Sequence, residues 1–427
     1  MAKQGFRKIQ LGGQTLSPET LMVSYGFDPK LSEGSVKTPI FFTSTFAYKT
    51  AEEGKLLFDY MSGRATAPKG ADAGLIYTRF NNPNLQIVEE RLAMLEGADA
   101  CAVFASGMAA IYTSLLATMA PGQVALRSRP LYGGTETLFD RLLATWGVKS
   151  AMFINGVDGA EVRAAAEEAM AQGEVAVIFV ETPANPTNSL VDLELMAAVA
   201  GEIEARQGTR PRIIVDNTLL GPLYQSPLLF GADLVVYSLT KYVGGHSDLV
   251  AGAVAGGKEL MTKVRSLRGS IGNQLDVNSA WMLTRSLETL RLRMDRAFDN
   301  AKIVADWLKA HPKVERVAYL GHCEPGSREA EVVARQCGAF GATFSFTVRG
   351  GEAVAFKVLD RLKIFKQAVS LGGTESLACH PGSTTHSGVS VNERNAIGIE
   401  PGLIRLSIGV EAAKDVIADL NQALAGI

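Results

Sequence analysis

Lys241 follows an apolar run, Leu234-Val-Val-Tyr237, through Ser238-Leu-Thr240, and a Gly-rich turn comes directly after it. An amine just beyond a buried strand is partly desolvated, which lowers its pKa and suits imine formation with a carbonyl. Ser238 and Thr240 flank it with hydroxyls suited to a phosphate. Asp216 lies 25 residues earlier and ends a second apolar run, Ile213-Ile-Val215, ahead of Asn217 and Thr218. A carboxylate there serves a pyridine nitrogen that must stay protonated, because only the pyridinium is a strong electron sink. A helix N-cap would read the same way. A third pattern, Phe104-Ala-Ser106-Gly107-Met108, is a small-residue turn opening a helix. Free backbone N–H groups and the positive end of the helix dipole make such a turn an anion site. Each pattern alone has an ordinary structural explanation. The lysine, the aspartate and the anion turn, in this order, form one constellation.

Those groups need elements to hold them. From about 85 to 260, helical periodicity alternates with short apolar runs, among them Val175–Val180, Ile213–Val215 and Leu234–Tyr237. Val/Ile runs bounded by turn signals and separated by helices predict strands of a buried parallel sheet. Gly159 to Met170 is one of the helices expected on its faces. A long helix is predicted over about 276–311, ending at His311-Pro312. Strand-like segments follow at Val314–Leu320, Ala342–Val348, Ala368–Leu371 and Ile404–Ile408, with helices at Gly351–Arg361 and Ala412–Leu424 between them. This reads as a smaller α/β domain with a mixed sheet. Residues 1 to about 75 read as irregular, with a polar, flexible-looking loop from Ser62 to Gly74.

Bulk composition narrows the classes. With 427 residues, 47% hydrophobic and 20% charged, the chain has the make-up of a globular protein of two or three domains. A formal net charge of −2 offers no basic field for nucleic acid. No apolar run approaches the ~18 residues of a membrane span, and the N-terminal residues do not read as a signal peptide. Cys101, Cys323, Cys337 and Cys379 are scattered without a CxxC pair, which points to reduced thiols in the cytoplasm and to no zinc site. No GxGxxG follows a first strand, so a dinucleotide fold is disfavoured.

From about Thr38 to the C-terminus, the chain resembles the Cys/Met-metabolism family of fold-type I pyridoxal-phosphate enzymes. That family includes cystathionine γ-synthases, cystathionine γ-lyases, methionine γ-lyases and O-acylhomoserine sulfhydrylases. The motifs carrying the resemblance are Tyr77-Thr-Arg79 with Asn82-Pro83, Leu131-Tyr132-Gly133-Gly134-Thr135, Glu181-Thr-Pro-Ala-Asn185-Pro, Ser370-Leu371-Gly-Gly-Thr-Glu-Ser376 and Leu403-Ile-Arg405-Leu-Ser407. It implies a large domain with a mostly parallel seven-stranded sheet (76–270), a C-terminal clamping domain (271–427) and an arm (1–75) reaching a neighbouring subunit. It implies pyridoxal 5'-phosphate held by Lys241 as a Schiff base, with Asp216 on the ring nitrogen. Ser106, Gly107, Met108, Thr218, Ser238 and Thr240 would complete the cofactor site. Tyr77 and Arg79 would reach the phosphate across a dimer interface, within a tetramer of two dimers. Tyr132 would stack on the cofactor and act in acid–base steps. Asn185, Ser370, Leu371 and Arg405 would bind the amino-acid substrate, with Arg405 as the carboxylate fork. His246, His380 and His386 are expected to be structural.

The implied activity is γ-elimination from a homoserine-type amino acid with a γ-heteroatom, or γ-replacement on the same class. Four features depart from the family pattern. Glu288 reverses a usual positive charge, Asn84 replaces a usual Thr, and the Ser62–Gly74 loop is long. Gly134 stands where methionine γ-lyases usually carry Cys. The Gly133-Gly134 pair is therefore expected to leave room above the cofactor for a bulkier or more polar γ-substituent, with slow turnover of methionine.

Overall fold

The computed structural model describes residues 6–66 and 74–427. The apolar runs assemble into a seven-stranded sheet made of β1 (Ala100–Phe104), β2 (Val124–Ser128), β3 (Lys149–Phe153), β4 (Val175–Glu181), β5 (Arg212–Asp216), β6 (Leu234–Ser238) and β7 (Gly252–Gly256). Their order is β1-β7-β6-β5-β4-β2-β3. Only β7 runs antiparallel to its neighbours; the other pairings are parallel. Every residue of β4 is buried, because helices cover both faces. Gly107–Thr118 and Lys258–Ile271 pack on one face, while Gly159–Gln172 and Leu193–Gln207 pack on the other.

The antiparallel β7 has a positional consequence. Gly252 stands opposite Phe104 of β1 and opposite Ser238 of β6, so the C-terminal ends of β1 and β6 are aligned through it. A Cβ at Gly252 would lie 2.2 Å from the Ser106 carbonyl oxygen. Only glycine lets the turn after β1 close against this strand. The anion turn and the lysine strand are thereby brought side by side.

A five-stranded C-terminal sheet comprises β8 (Val314–Ala318), β9 (Thr343–Val348), β10 (Lys366–Gln367), β11 (Leu377–Cys379) and β12 (Leu403–Ser407), in the order β8-β9-β12-β11-β10. Its pairings are antiparallel apart from β10 with β11. Helix Gly351–Arg361 packs on this sheet and helix Ala413–Ala425 packs on that helix, and Ile404 and Leu406 join the same hydrophobic cluster.

Three expectations are corrected. The long helix over 276–311 is two helices, Val277–Leu287 and Leu290–Lys309. At the break, Arg293 donates to the Ser286 carbonyl and to Thr289 Oγ1, satisfying by a side chain what a continuous helix would satisfy by backbone. Ala368–Leu371 is not a strand. The carbonyls of Val369 and Ser370 accept from the Arg405 guanidinium instead of joining a ladder. The N-terminal segment is not uniformly irregular: Ala51–Met61 is helical, capped by Thr50, whose side chain accepts from the Glu53 N–H.

Two of the unusual residues have local roles. Lys37 pairs with Glu288 at 2.6 Å. Buried Asn84 accepts from the Phe41 N–H and donates to the Pro39 carbonyl, pinning residues 39–41 to helix Pro83–Glu96. Residues 67–73 of the Ser62–Gly74 loop lie outside the described residues.

Candidate active site

Brought together at the C-terminal ends of the strands is a cavity of about 260 Å³. Ser106, Gly107, Met108, Tyr132, Asn185, Asp216, Thr218, Ser238, Thr240, Lys241 and Leu371, all singled out by sequence, line it. Open α/β sheets place their ligands at this edge, where strand ends leave a crevice.

Lys241 stands in the turn after β6, its Nζ donating to Ser370 Oγ at 3.2 Å. Burial, and then the nearby charge of Arg405, depress its amine to about 8. Asp216 closes β5. Its Oδ1 accepts from the Thr218 hydroxyl at 2.6 Å and from the Thr218 N–H at 3.1 Å, while Thr218 Oγ1 accepts from the Ser238 N–H. Burial pushes the Asp216 carboxyl up to about 6, and those hydrogen bonds oppose the shift. Among the described residues no lysine or arginine makes an ion pair with it. Ser106 caps helix Gly107–Thr118, accepting at Oγ from the Ala109 N–H, so the first N–H groups of a twelve-residue helix open at the cavity.

From the smaller sheet comes Arg405, fully buried in the middle of β12. It donates to Asn185 Oδ1 at 3.3 Å and to the Val369 and Ser370 carbonyls, while its Nε–H is buried without a partner. A guanidinium held by neutral acceptors with its Nε–H unpartnered is prepared for an anion.

Tyr77 and Arg79 stand apart from this group. Arg79 donates to the Gly269 carbonyl and stacks on Phe80, its guanidinium carbon 4.4 Å from the ring centre. Neither residue lines the cavity of its own chain. Nor do the histidines. His380 and His386 are buried with their ring nitrogens hydrogen-bonded to Ser383 and Pro401, and to Thr385 and Leu131; His246 bonds the Gly244 carbonyl.

The glycine pair behaves differently from its expected role. A Cβ at Gly133 would lie 2.0 Å from the Thr385 carbonyl oxygen, so this glycine serves contact with the C-terminal domain. A Cβ at Gly134 would lie 2.7 Å from the Tyr132 ring and 3.1 Å from Met108 Sδ. The space a side chain would take is filled from within, and neither glycine lines the cavity. The pair does not enlarge the pocket.

Sequence reading passed over Glu181. It was visible as the start of a motif, at a strand end like Asp216, yet its own side chain lines the cavity. Ile111, Leu219 and Val250 add apolar walls that no local pattern marked.

A strand-end lysine of depressed basicity, a buried carboxylate lacking a cation and a helix N-terminus fit pyridoxal phosphate, with its aldehyde, ring nitrogen and phosphate. The layout is that of a fold-type I pyridoxal-phosphate enzyme. A sequence profile of the Cys/Met metabolism PLP-dependent enzyme family matches residues 19–425, and the chain belongs to that family. It is 38% identical over 423 residues to an L-methionine γ-lyase of Fusobacterium nucleatum subsp. polymorphum, covering 98% of each chain. It is 34% identical over 410 residues to an O-succinylhomoserine sulfhydrylase of Pseudomonas aeruginosa, covering 96% of this chain and 95% of that one. The crystal structure of cystathionine γ-synthase from Xanthomonas oryzae pv. oryzae in complex with aminoacrylate and cysteine superposes with a TM-score of 0.84 at 33% identity, covering 96% and 98% of the two chains. The protein is a pyridoxal-phosphate-dependent enzyme of a family built for γ-elimination and γ-replacement.

Proposed function

We propose that the enzyme expels the γ-substituent of a homoserine-type L-amino acid carrying a heteroatom there, the methionine, cystathionine or canavanine class. With water, the products are a 2-oxo acid, ammonia and the protonated leaving group. The observation that carries this reading is the bridge from Lys241 Nζ to Ser370, whose backbone carbonyl is held by Arg405. It sets a proton-accepting amine beside a carboxylate fork.

Pyridoxal phosphate, when bound, supplies the electron sink for the charge left at Cα. Lys241, its amine depressed to about 8, anchors the cofactor and then takes the Cα proton at Nζ. Asp216 holds the ring nitrogen protonated, and Thr218 fixes the carboxylate's orientation. Ser106, the N–H groups of Gly107 and Met108, and the hydroxyls of Ser238 and Thr240 receive the phosphate. Arg405, Asn185, Ser370 and Leu371 hold the substrate carboxylate end. Tyr132 covers the cavity and delivers a proton to the departing group.

Among the described residues that line the cavity none is an arginine, which supports a working unit of at least two chains. Tyr77 and Arg79 of one subunit then complete the site of the next, and two such dimers make a tetramer. Mixing Arg79→Ala with Lys241→Ala chains should restore one complete site per mixed dimer and recover activity. Activity no higher than that of either parent would refute the shared site. The free thiols of Cys101, Cys323, Cys337 and Cys379 accord with a cytoplasmic enzyme.

The deciding experiment is a panel of methionine, cystathionine, O-acetyl- and O-succinylhomoserine, and canavanine, assayed with and without an added thiol. A 2-oxo acid formed without thiol is the expected product. Thiol adducts with no oxo acid would move the enzyme to γ-replacement, and inertness toward the whole panel would sink the reading.

A further inference from the structure

Glu181, the last residue of β4, is paired in register with Asp216, the last residue of β5. It is buried, and both of its oxygens are used. Oε2 accepts from the Tyr132 N–H at 2.6 Å and Oε1 from the Asn185 N–H at 2.8 Å. Among the described residues no lysine or arginine makes an ion pair with it. A second carboxylate beside Asp216, unpaired with a cation, is a costly way to satisfy two loop N–H groups. Burial, then Asp216, and more weakly Glu136 push its carboxyl up to about 8, against the two N–H bonds.

The two loops it grips come from different places. The Tyr132 N–H opens the turn that carries the aromatic ring over the cavity. Asn185 accepts from Arg405, the fork contributed by the smaller sheet. One carboxyl group thus spans the ring on one side and the fork's partner on the other.

We propose that Glu181 is a positioning residue for the family's reaction. It sets the spacing between the Tyr132 ring and the Asn185–Arg405 pair, so that a substrate held by its carboxylate presents its γ-carbon beneath Tyr132. The inference rests on the roles given above to Tyr132 and Arg405.

Glu181→Gln tests it in the holoenzyme. The amide keeps the shape but accepts at one end only, so its NH2 faces a backbone N–H and one loop is released. The expected result is a fall in kcat/KM of about 10–100-fold, with cofactor content unchanged and the visible circular dichroism of the bound cofactor diminished. If this variant does not fold, Glu181→Asp, which keeps the carboxyl but is one methylene short of spanning both N–H groups, is measured the same way. Wild-type kcat/KM and dichroism in the folded variant overturn the proposal, and so does activity lost only in proportion to lost cofactor. Arg405→Lys in parallel separates the two failures. A raised KM there beside an unaffected Glu181 variant sinks this inference alone, whereas an unchanged KM sinks the reading of the fork beneath it.

Discussion

In the large sheet the charged groups of the cavity stand at strand ends, Glu181 closing β4 and Asp216 closing β5, whereas in the small sheet Arg405 sits in the middle of β12. Both arrangements follow from what covers each sheet. A parallel strand between two helical layers takes a charge only with partners beside it, as Arg127 of β2 has in Glu136 and Asp140, so the unpaired carboxyls of the cavity stand where the strands run out. β12 pairs antiparallel on both sides, and Arg405 reaches the cavity wall through Asn185. Ile404 and Leu406 point into the core, while alternate Arg405 and Ser407 point the other way. A mid-strand charge is tolerable there because Asn185 and two carbonyls satisfy most of its donors. Strand-end charges are placed by where the chain stops being a strand, and mid-strand charges by which face they are on.

The comparison breaks first at Asp216. Asp216→Asn should leave folding and cofactor content intact, yet lower exchange of the substrate α-proton by about 10³-fold, since a neutral partner does not hold a charged ring nitrogen. Near-normal exchange, followed by NMR in deuterated solvent, would show that the strand-end charge is not functional. Arg405→Lys keeps the charge and loses the planar fork; KM should rise by roughly 10–100-fold. A drop in melting temperature with KM unmoved would instead make this mid-strand charge a structural one.

The smallest effect is expected behind the sheet. Glu96 ends helix Pro83–Glu96 and is buried against the Tyr237 hydroxyl, with Oε2 unpartnered. Burial raises its carboxyl to about 8. The folded pKa therefore lies above the unfolded one, so the stabilisation from its proton is full at acid pH and fades as pH climbs toward about 8. Glu96→Gln removes that fade. Its melting temperature should gain on the wild type by about 1–3 °C between roughly pH 5 and pH 8, with kcat/KM unchanged. A constant gap across that range would mean that Glu96 is ionised in the fold.

The strand-end chemistry was legible because Val/Ile runs stop abruptly at Asp216 and shortly before Lys241, and a change from apolar to polar is a local signal. Arg405 was legible for the opposite reason, as a charge inside an apolar run. What local pattern does not carry is where a backbone group finds its partner. Ala368–Leu371 has strand-like composition, but its carbonyls turn to an arginine 35 residues or more away. The break at Glu288–Thr289 depends on Arg293 reaching back to Ser286. The glycines after Tyr132 read as open space, but Thr385 fills it at Gly133 and the Tyr132 ring and Met108 fill it at Gly134. Glu181 was quoted within its motif, but its two acceptors acquire meaning only when the loops bearing Tyr132 and Asn185 meet around it.

The single antiparallel strand of the large sheet also imposes an order of events on synthesis. β1 and β6 pair with opposite edges of β7, Gly252–Gly256, which is made after both. A nascent chain that has not yet released β7 holds the anion turn and Lys241 as separate pieces, with a pairing of long sequence separation still to form. Ribosome-bound chains stopped before Gly252 are therefore expected not to take up the cofactor, and uptake would mark the moment at which that stretch of the protein has left the ribosome and closed.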